Sequence, residues 1–239
     1  MTEIIPAILP ESFDDLKDKM SLVNGLTGIV QIDICDGRFV QSKSWPYIGD
    51  YDAMYGRIIS EDEGFPFWES IDFEVDLMVI NPEEVVDNWI KAGAKRIVLH
   101  IESSKNLFVF LEEFRKKYGY YGESFFAVEI GIALNIDTTN DDIYKYFEPN
   151  KEGRTPVDFV QFMGIDKIGY QHQSFNDTVL GKIHDLRQKY PWTIISIDGG
   201  VSLDNAKELV DNGVNRLISG SAIFESEDIK EMMEEFRKI

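Results

Sequence analysis

The strongest constraint on the fold is a regular alternation of short apolar runs with amphipathic, helix-like segments. The apolar runs, dense in Ile, Val, Leu and Phe, cover residues 4–9, 29–34, 73–79, 96–100, 126–133, 159–163, 193–197 and 216–219. Runs this apolar are typical of strands buried on both faces, and helices between them imply a parallel sheet. Eight such units in 239 residues predict an α/β fold, a (β/α)8 TIM barrel forming a single domain over residues 1–239, because such barrels take about 250 residues.

Capping signals indicate where helices begin. Ser12, with Asp15 three residues later, and Ser202 can each open a helix, and Asn81 precedes a proline at a first helical position. Ser174 predicts a further helix start. A doubly wound open sheet is the alternative fold, but no Gly-x-Gly-x-x-Gly follows the first strand, which disfavours a dinucleotide-binding domain. Residues 45–68 predict a long loop with a short helix.

Charge and composition exclude several classes of partner. The formal net charge is -19, which argues against binding to nucleic acid or to an anionic membrane surface. No apolar stretch is long enough to span a membrane, and no basic, apolar leader begins the chain. The single cysteine, Cys35, permits no intrachain disulfide. We therefore expect a cytoplasmic protein.

Acidic residues mark the predicted carboxyl ends of three strands. Asp33 lies near the end of the second strand, Asp76 lies within the third, and Asp198 just follows the seventh. Active sites of TIM barrels lie at this end. Alternation along a strand puts Gln31 on the same face as Asp33. We expect these side chains to point into the barrel mouth; the alternative is that one or more of them point outward and cap a helix.

Glycine-rich turns follow the last two predicted strands. Gly199 and Gly200 come directly after Asp198, and Gly220 and Ser221 follow the eighth strand. In TIM barrels these two loops often form a phosphate site, because glycine lets backbone N–H groups approach the phosphate oxygens. Ordinary turn chemistry is the simpler alternative, although two such loops side by side favour phosphate binding.

Taken in order, these motifs resemble the ribulose-phosphate 3-epimerase family over nearly the whole chain. The second strand, QIDICDGRFV from Gln31, resembles the family's HVD-hydrophobic-MDGHFV, and Asp76-Leu77-Met78-Val79 resembles HLMV. Further matches are IPAIL, AGA, GIALN, GYQHQSF, DGGV and GSAIF, at residues 5–9, 92–94, 131–135, 169–175, 198–201 and 220–224. The resemblance implies the ribulose-phosphate-binding type of TIM barrel.

The resemblance also implies a reaction, the interconversion of ribulose 5-phosphate and xylulose 5-phosphate. In the family two aspartates move the C3 proton on opposite faces of the substrate, through an enediolate held on a divalent metal. Carried over by position, the catalytic acids are Asp33 and Asp198. The substrate- and phosphate-binding positions that the motifs imply are Met78, Met163, Gly169, Gly199, Gly200, Gly220 and Ser221. The family also implies a homo-oligomer.

Departures from the family pattern cluster at the site. The two metal-ligand histidines of the family correspond here to Gln31 and Asp76, and two loop glycines to Gln171 and His172. The metal set becomes Gln31, Asp33, Asp76 and Asp198. Oxygen ligands of this kind suit Mg²⁺ or Mn²⁺ better than Zn²⁺.

Three functions stay open at this point. The first is the family's own epimerisation, the second is epimerisation or isomerisation of another ketose phosphate, and the third is sugar-phosphate binding without catalysis. Related decarboxylases are disfavoured because the second strand lacks their Asp-x-Lys-x-x-Asp motif. A Schiff-base aldolase lacks a suitably placed lysine. Lys167 could supply charge to the phosphate, and His100 could line the site or lie satisfied in the core.

Overall fold

A computed structural model describes residues 2–49, 52–122 and 128–239. Eight parallel strands in these residues close into a barrel in sequence order, which confirms the predicted (β/α)8 TIM barrel. The strands are β1 Glu3–Ile8, β2 Ile29–Cys35, β3 Asp72–Met78, β4 Arg96–His100, β5 Glu129–Leu134, β6 Phe159–Met163, β7 Ile194–Asp198 and β8 Arg216–Ser219. The first two residues of the fifth predicted strand, Phe126 and Ala127, lie outside the described residues.

Helices cover the outside of the barrel and bury their apolar faces against it. They are α1 Phe13–Val23, α2 Ala53–Ile59, α3 Val86–Lys91, α4 Leu107–Tyr118, α5 Thr178–Lys189, α6 Leu203–Asp211, α7 Ser221–Phe224 and α8 Ile229–Arg237. Residues such as Leu16, Trp89 and Leu209 are fully buried between helix and sheet. Large apolar side chains in this layer make the main favourable contribution to folding. No helix among the described residues is long and apolar enough to cross a membrane.

Two of the predicted caps are correct. The Ser12 hydroxyl accepts a hydrogen bond from the Asp15 amide at 3.0 Å, and Ser202 forms a reciprocal capping box with Asn205. The expected helix start at Ser174 is wrong, because α5 begins only at Thr178. There the carboxamide oxygen of Asn176 accepts from the Thr178 amide at 3.0 Å. Asn81 opens a short 3₁₀ turn, Pro82–Glu84, rather than an α-helix.

Charged residues close the amino-terminal end of the barrel. Arg96 lies within hydrogen-bonding distance of Glu129 at 2.8 Å and of Glu3 at 2.9 Å, and Arg216 lies 2.6 Å from Glu129. Burial raises the pKa of Glu74, in the same cluster, to about 7, although Arg96 and Arg216 oppose the shift. Buried charges are tolerated when they are paired in this way. This end of the barrel is therefore filled.

Candidate active site

Strand register brings three acids together at the carboxyl end of the barrel. Asp33 of β2 lies directly beside Asp76 of β3, and Asp198 is the last residue of β7 rather than the first of the following loop. Each carboxylate offers an oxygen within 4.8 Å of the other two. Asp76 is fully buried and Asp198 nearly so. All three therefore point inward, and the outward-facing alternative is excluded.

Gln31 links the two acids that the family resemblance marks as catalytic. Its Nε2 donates to Asp33 Oδ1 and to Asp198 Oδ2, both at 2.9 Å. The side chain is fully buried, and its Oε1 has no hydrogen-bond partner among the described residues. One amide nitrogen thus fixes the separation of two carboxylates that would otherwise repel each other.

Asp76 has a polar neighbour beside each carboxylate oxygen, but only Oδ2 accepts a hydrogen bond within the described residues. Nε2 of His100, at the end of β4, lies 3.1 Å from Asp76 Oδ1, and Gln161 of β6 donates from Nε2 to Asp76 Oδ2 at 3.1 Å. Burial lowers the pKa of His100, but the charge of Asp76 and its hydrogen bond outweigh burial and raise it. His100 is thus a buried histidine with an acidic partner. Sequence reasoning did not single out Gln161; its only signal was one polar residue inside an apolar run.

Burial and mutual repulsion perturb both candidate catalytic acids. The pKa of Asp33 is raised well above its usual range, first by burial and then by the charges of Asp198 and Asp76. Burial and then the charge of Asp76 raise the pKa of Asp198 to about 7, against hydrogen bonds from Gln31 and the Gly199 backbone. Acids that interact this closely titrate as one unit. In both acids, burial and repulsion therefore favour the protonated form more than in an exposed aspartate.

The donor set fits a divalent cation. Three carboxylates, two of them buried, converge within 4.8 Å. The buried Oε1 of Gln31, unpartnered within the described chain, belongs to a carboxamide in contact with two of the three. Carboxylate and amide oxygens are the ligands of hard cations such as Mg²⁺, Ca²⁺ and Mn²⁺. A cation here would also relieve the repulsion that raises the acids' pKa values.

A cavity connects the acids to the glycine loops. Asp33 and Asp198 line one end, and Met78 and Met163 line its wall. The remaining lining residues are Ala7, Leu9, Ile165, Gly169, Tyr170, Gln171, His172, Gln173, Gly199, Gly200, Val201, Ile218, Gly220 and Ser221. The cavity thus joins a carboxylate end to an end rich in backbone amides. This shape and polarity suit a small molecule with an anionic tail.

Close packing favours glycine at two positions at the amide-rich end. A Cβ on Gly200 would lie 2.8 Å from the Cα of Phe175, and Gly200 has a positive φ of 70°. A Cβ on Gly220 would lie 3.1 Å from the carbonyl oxygen of Ala7. At Gly200 only glycine fits without displacing backbone, whereas at Gly220 a Cβ would make an unusually tight contact. The loops after β7 and β8 therefore pack closely against Phe175 and Ala7 where they line the cavity.

The loop after β6 covers the amide-rich end with two side chains. His172 has a left-handed backbone, φ 60°, and its Nε2 lies 2.5 Å from Oε1 of Glu225, directly after α7. The Nε2 of Gln171 lies 3.6 Å from where a Cβ on Gly220 would be. Lys167 does not line the cavity. Its ammonium instead lies over the ring of Tyr170, 4.4 Å from the centroid, so the expectation that it contacts phosphate is not supported.

Comparisons with known proteins agree with the motifs. Residues 3–224 match the model of the ribulose-phosphate 3 epimerase family. The chloroplastic ribulose-5-phosphate-3-epimerase of Arabidopsis thaliana is 28% identical over 236 residues, covering 95% of this chain and 73% of that protein. The ribulose-phosphate 3-epimerase of Schizosaccharomyces pombe is 26% identical, covering 98% and 92%.

Solved structures share the fold at lower sequence identity. KGPDC from Streptococcus mutans superimposes with a TM-score of 0.70 at 13% identity, covering 99% of this chain and 96% of that one. At this identity the similarity establishes the TIM barrel alone.

Proposed function

Because the chain belongs to the ribulose-phosphate 3-epimerase family and is a sugar-phosphate epimerase, we propose that it interconverts ribulose 5-phosphate and xylulose 5-phosphate. The observation that carries this proposal is the pair Asp33 and Asp198, which line one cavity and share the Nε2 of Gln31. Inversion of a carbon centre needs a base on one face and an acid on the other. Asp33 of β2 and Asp198 of β7 line one cavity from different strands, and we assign one of them to each face of the substrate.

The reaction requires the two acids to be in opposite protonation states. The ionised acid takes the proton from C3, and the electron pair of the broken C–H bond forms the C2–C3 double bond of an enediolate. The other acid, which carries a proton, delivers it to C3 from the opposite face. Burial and mutual repulsion raise the pKa of both acids, which matches them to proton transfer near neutral pH.

The substrate phosphate is proposed to bind at the far end of the cavity. Gly200, Gly220 and Ser221 would offer backbone N–H groups there, and Gly199 and Gly169 also line this cavity. Met78 and Met163 would pack against the carbon chain of the sugar. Because the net charge is -19 and neither Lys nor Arg is among the described residues that line the cavity, binding of the anion depends on backbone amides and on the side chains of Gln171 and His172.

We propose a divalent cation as cofactor, held by Asp33, Asp76 and Asp198 with Gln31. Mg²⁺ or Mn²⁺ is favoured over Zn²⁺ by the all-oxygen donor set. When bound, such an ion stabilises negative charge developing on the substrate oxygens. The amide of Gln31 would turn its Oε1 toward the ion in place of Nε2.

The test is incubation with ribulose 5-phosphate in D₂O, after chelation and again with added Mg²⁺, Mn²⁺ or Zn²⁺. Deuterium at C3 together with xylulose 5-phosphate is the expected result, with faster exchange in Mg²⁺ or Mn²⁺ than in Zn²⁺. Exchange with another ketose phosphate alone would assign a different substrate. Tight binding of phosphate esters with no exchange would make the chain a non-catalytic relative.

A cytoplasmic location, a single domain over residues 1–239 and a homo-oligomeric state also stay predictions. The first rests on the single cysteine and the composition, the second on the barrel that the strands close. The third rests on the family alone. Size-exclusion chromatography with light scattering tests the oligomeric state directly.

A further inference from the structure

Gln161 is a buried amide in an otherwise apolar strand. It lies in the middle of β6, is fully buried, and its Oε1 finds no hydrogen-bond partner in residues 2–49, 52–122 and 128–239. Burying an amide that is only partly satisfied is unfavourable compared with an apolar side chain of the same size. Packing alone therefore does not account for a glutamine at this position.

The contact that Gln161 makes spans the interior of the barrel. Its Nε2 donates to Asp76 Oδ2 at 3.1 Å, yet β6 and β3 are not neighbours in the sheet. His100, on the adjacent strand β4, lies 3.1 Å from the other oxygen, Oδ1. Within the described residues, the Asp76 carboxylate thus has a charge contact at Oδ1 and a hydrogen bond, from Gln161, at Oδ2.

The orientation of Asp76 decides whether three acids can act together. Asp76 lies beside Asp33 in register, and both offer oxygens to the same point as Asp198. A hydrogen bond on Oδ2 opposes rotation of the Asp76 side chain away from the other two carboxylates. Groups that hold a ligand from behind are a general requirement of metal sites.

We infer that Gln161 is a positioning residue, which holds Asp76 in the orientation that lets Asp33, Asp76 and Asp198 bind one divalent cation. The inference rests on the cation proposed above but not on epimerisation. A purely space-filling role makes a different prediction. Leucine has nearly the same volume as glutamine, so it would then replace Gln161 without weakening cation binding.

The experiment measures Mn²⁺ binding by the full chain, purified in chelator, from the electron paramagnetic resonance signal of free Mn²⁺. Gln161→Leu is expected to raise the dissociation constant about tenfold, the lower end of what loss of such a partner costs. The matched control is Ser196→Ala, also buried and beside Gln161 in register on β7; it should leave the constant unchanged. If Gln161→Leu does not fold, Gln161→Met takes its place in the same Mn²⁺-binding measurement.

A double-mutant cycle separates positioning from general structural damage. Asp76→Asn alone should weaken Mn²⁺ binding, and adding Gln161→Leu to it should cause no further loss, because Gln161 acts through Asp76. Three results would each overturn the inference. The first is an unchanged Mn²⁺ dissociation constant in Gln161→Leu, and the second is an equal loss of affinity when Gln161→Leu is added to Asp76→Asn. The third is a wild-type chain that binds no Mn²⁺. Weakened Mn²⁺ binding without C3 exchange would instead refute the epimerase proposal and leave the inference standing.

Discussion

Replacing Asp198 by asparagine should stabilise the protein in alkaline solution while removing its activity. Asp198 has a pKa of about 7 in the folded chain, against an ordinary value of 3.8. Between these values the folded chain binds more protons than the unfolded chain, so wild-type stability falls as pH rises and the loss is complete above about pH 7. At about 1.4 kcal/mol per pKa unit, ionising Asp198 inside the barrel costs on the order of 4 kcal/mol.

Asparagine removes this cost and keeps an oxygen for the Gln31 amide. We expect Asp198→Asn to raise the free energy of unfolding by roughly 4 kcal/mol at pH 8 in chelator, and by roughly 1–2 kcal/mol at pH 5, where the folded acid is protonated but the unfolded one is already largely ionised. Urea denaturation at both pH values measures the difference. Glu208→Gln, on the exposed side of α6, is the control for removing a charge. A destabilised variant, or an equal gain at both pH values, would refute the reasoning.

Three further changes test other parts of the account. Mn²⁺ should raise the melting temperature more at pH 8 than at pH 5, because protons compete with it for Asp33 and Asp198; an equal rise would place the ion elsewhere. His172→Gly suits the left-handed backbone at this position but removes the imidazole ring from the cavity. KM for the ketose phosphate should therefore rise severalfold, with kcat nearly unchanged. The control His184→Ala, at an exposed position, should change neither constant. Gly131→Ala would put a Cβ 2.5 Å from the Phe159 ring. It should lower the free energy of unfolding by about 1–3 kcal/mol, as measured by thermal or urea denaturation. Unchanged stability would contradict this expectation.

Local patterns predicted the barrel because each strand is a separate apolar run with helix signals between runs. The acids at the strand ends were also predictable, since alternation and strand direction fix where Asp33 and Asp76 point. The conformations of the loops were not predictable from these local patterns. The helix start expected at Ser174 falls at Thr178, because the loop after β6 is shaped by packing against residues far away, such as Val40 beside Gly169.

Contacts across the barrel could not be predicted from the sequence either, because the residues that touch are far apart in the chain. Gln161 and Asp76 are 85 residues apart, and neither residue carries a local signal of the other. The same holds for the amide of Gln31, which meets Asp198 over a separation of 167 residues. A sequence shows which side chains face the barrel interior, but the register and closure of the sheet decide which of them touch.

The central claim is that Asp33 and Asp198 serve opposite faces of one carbon, and solvent exchange in single variants tests it most directly. Asp33→Asn and Asp198→Asn should each lose interconversion of the two pentulose phosphates. Each should still exchange the C3 hydrogen of one epimer with D₂O at a reduced rate, and the two variants should select opposite epimers, because each keeps the acid on one face. Interconversion at the wild-type rate by either variant, or exchange of the same epimer by both, would contradict the account.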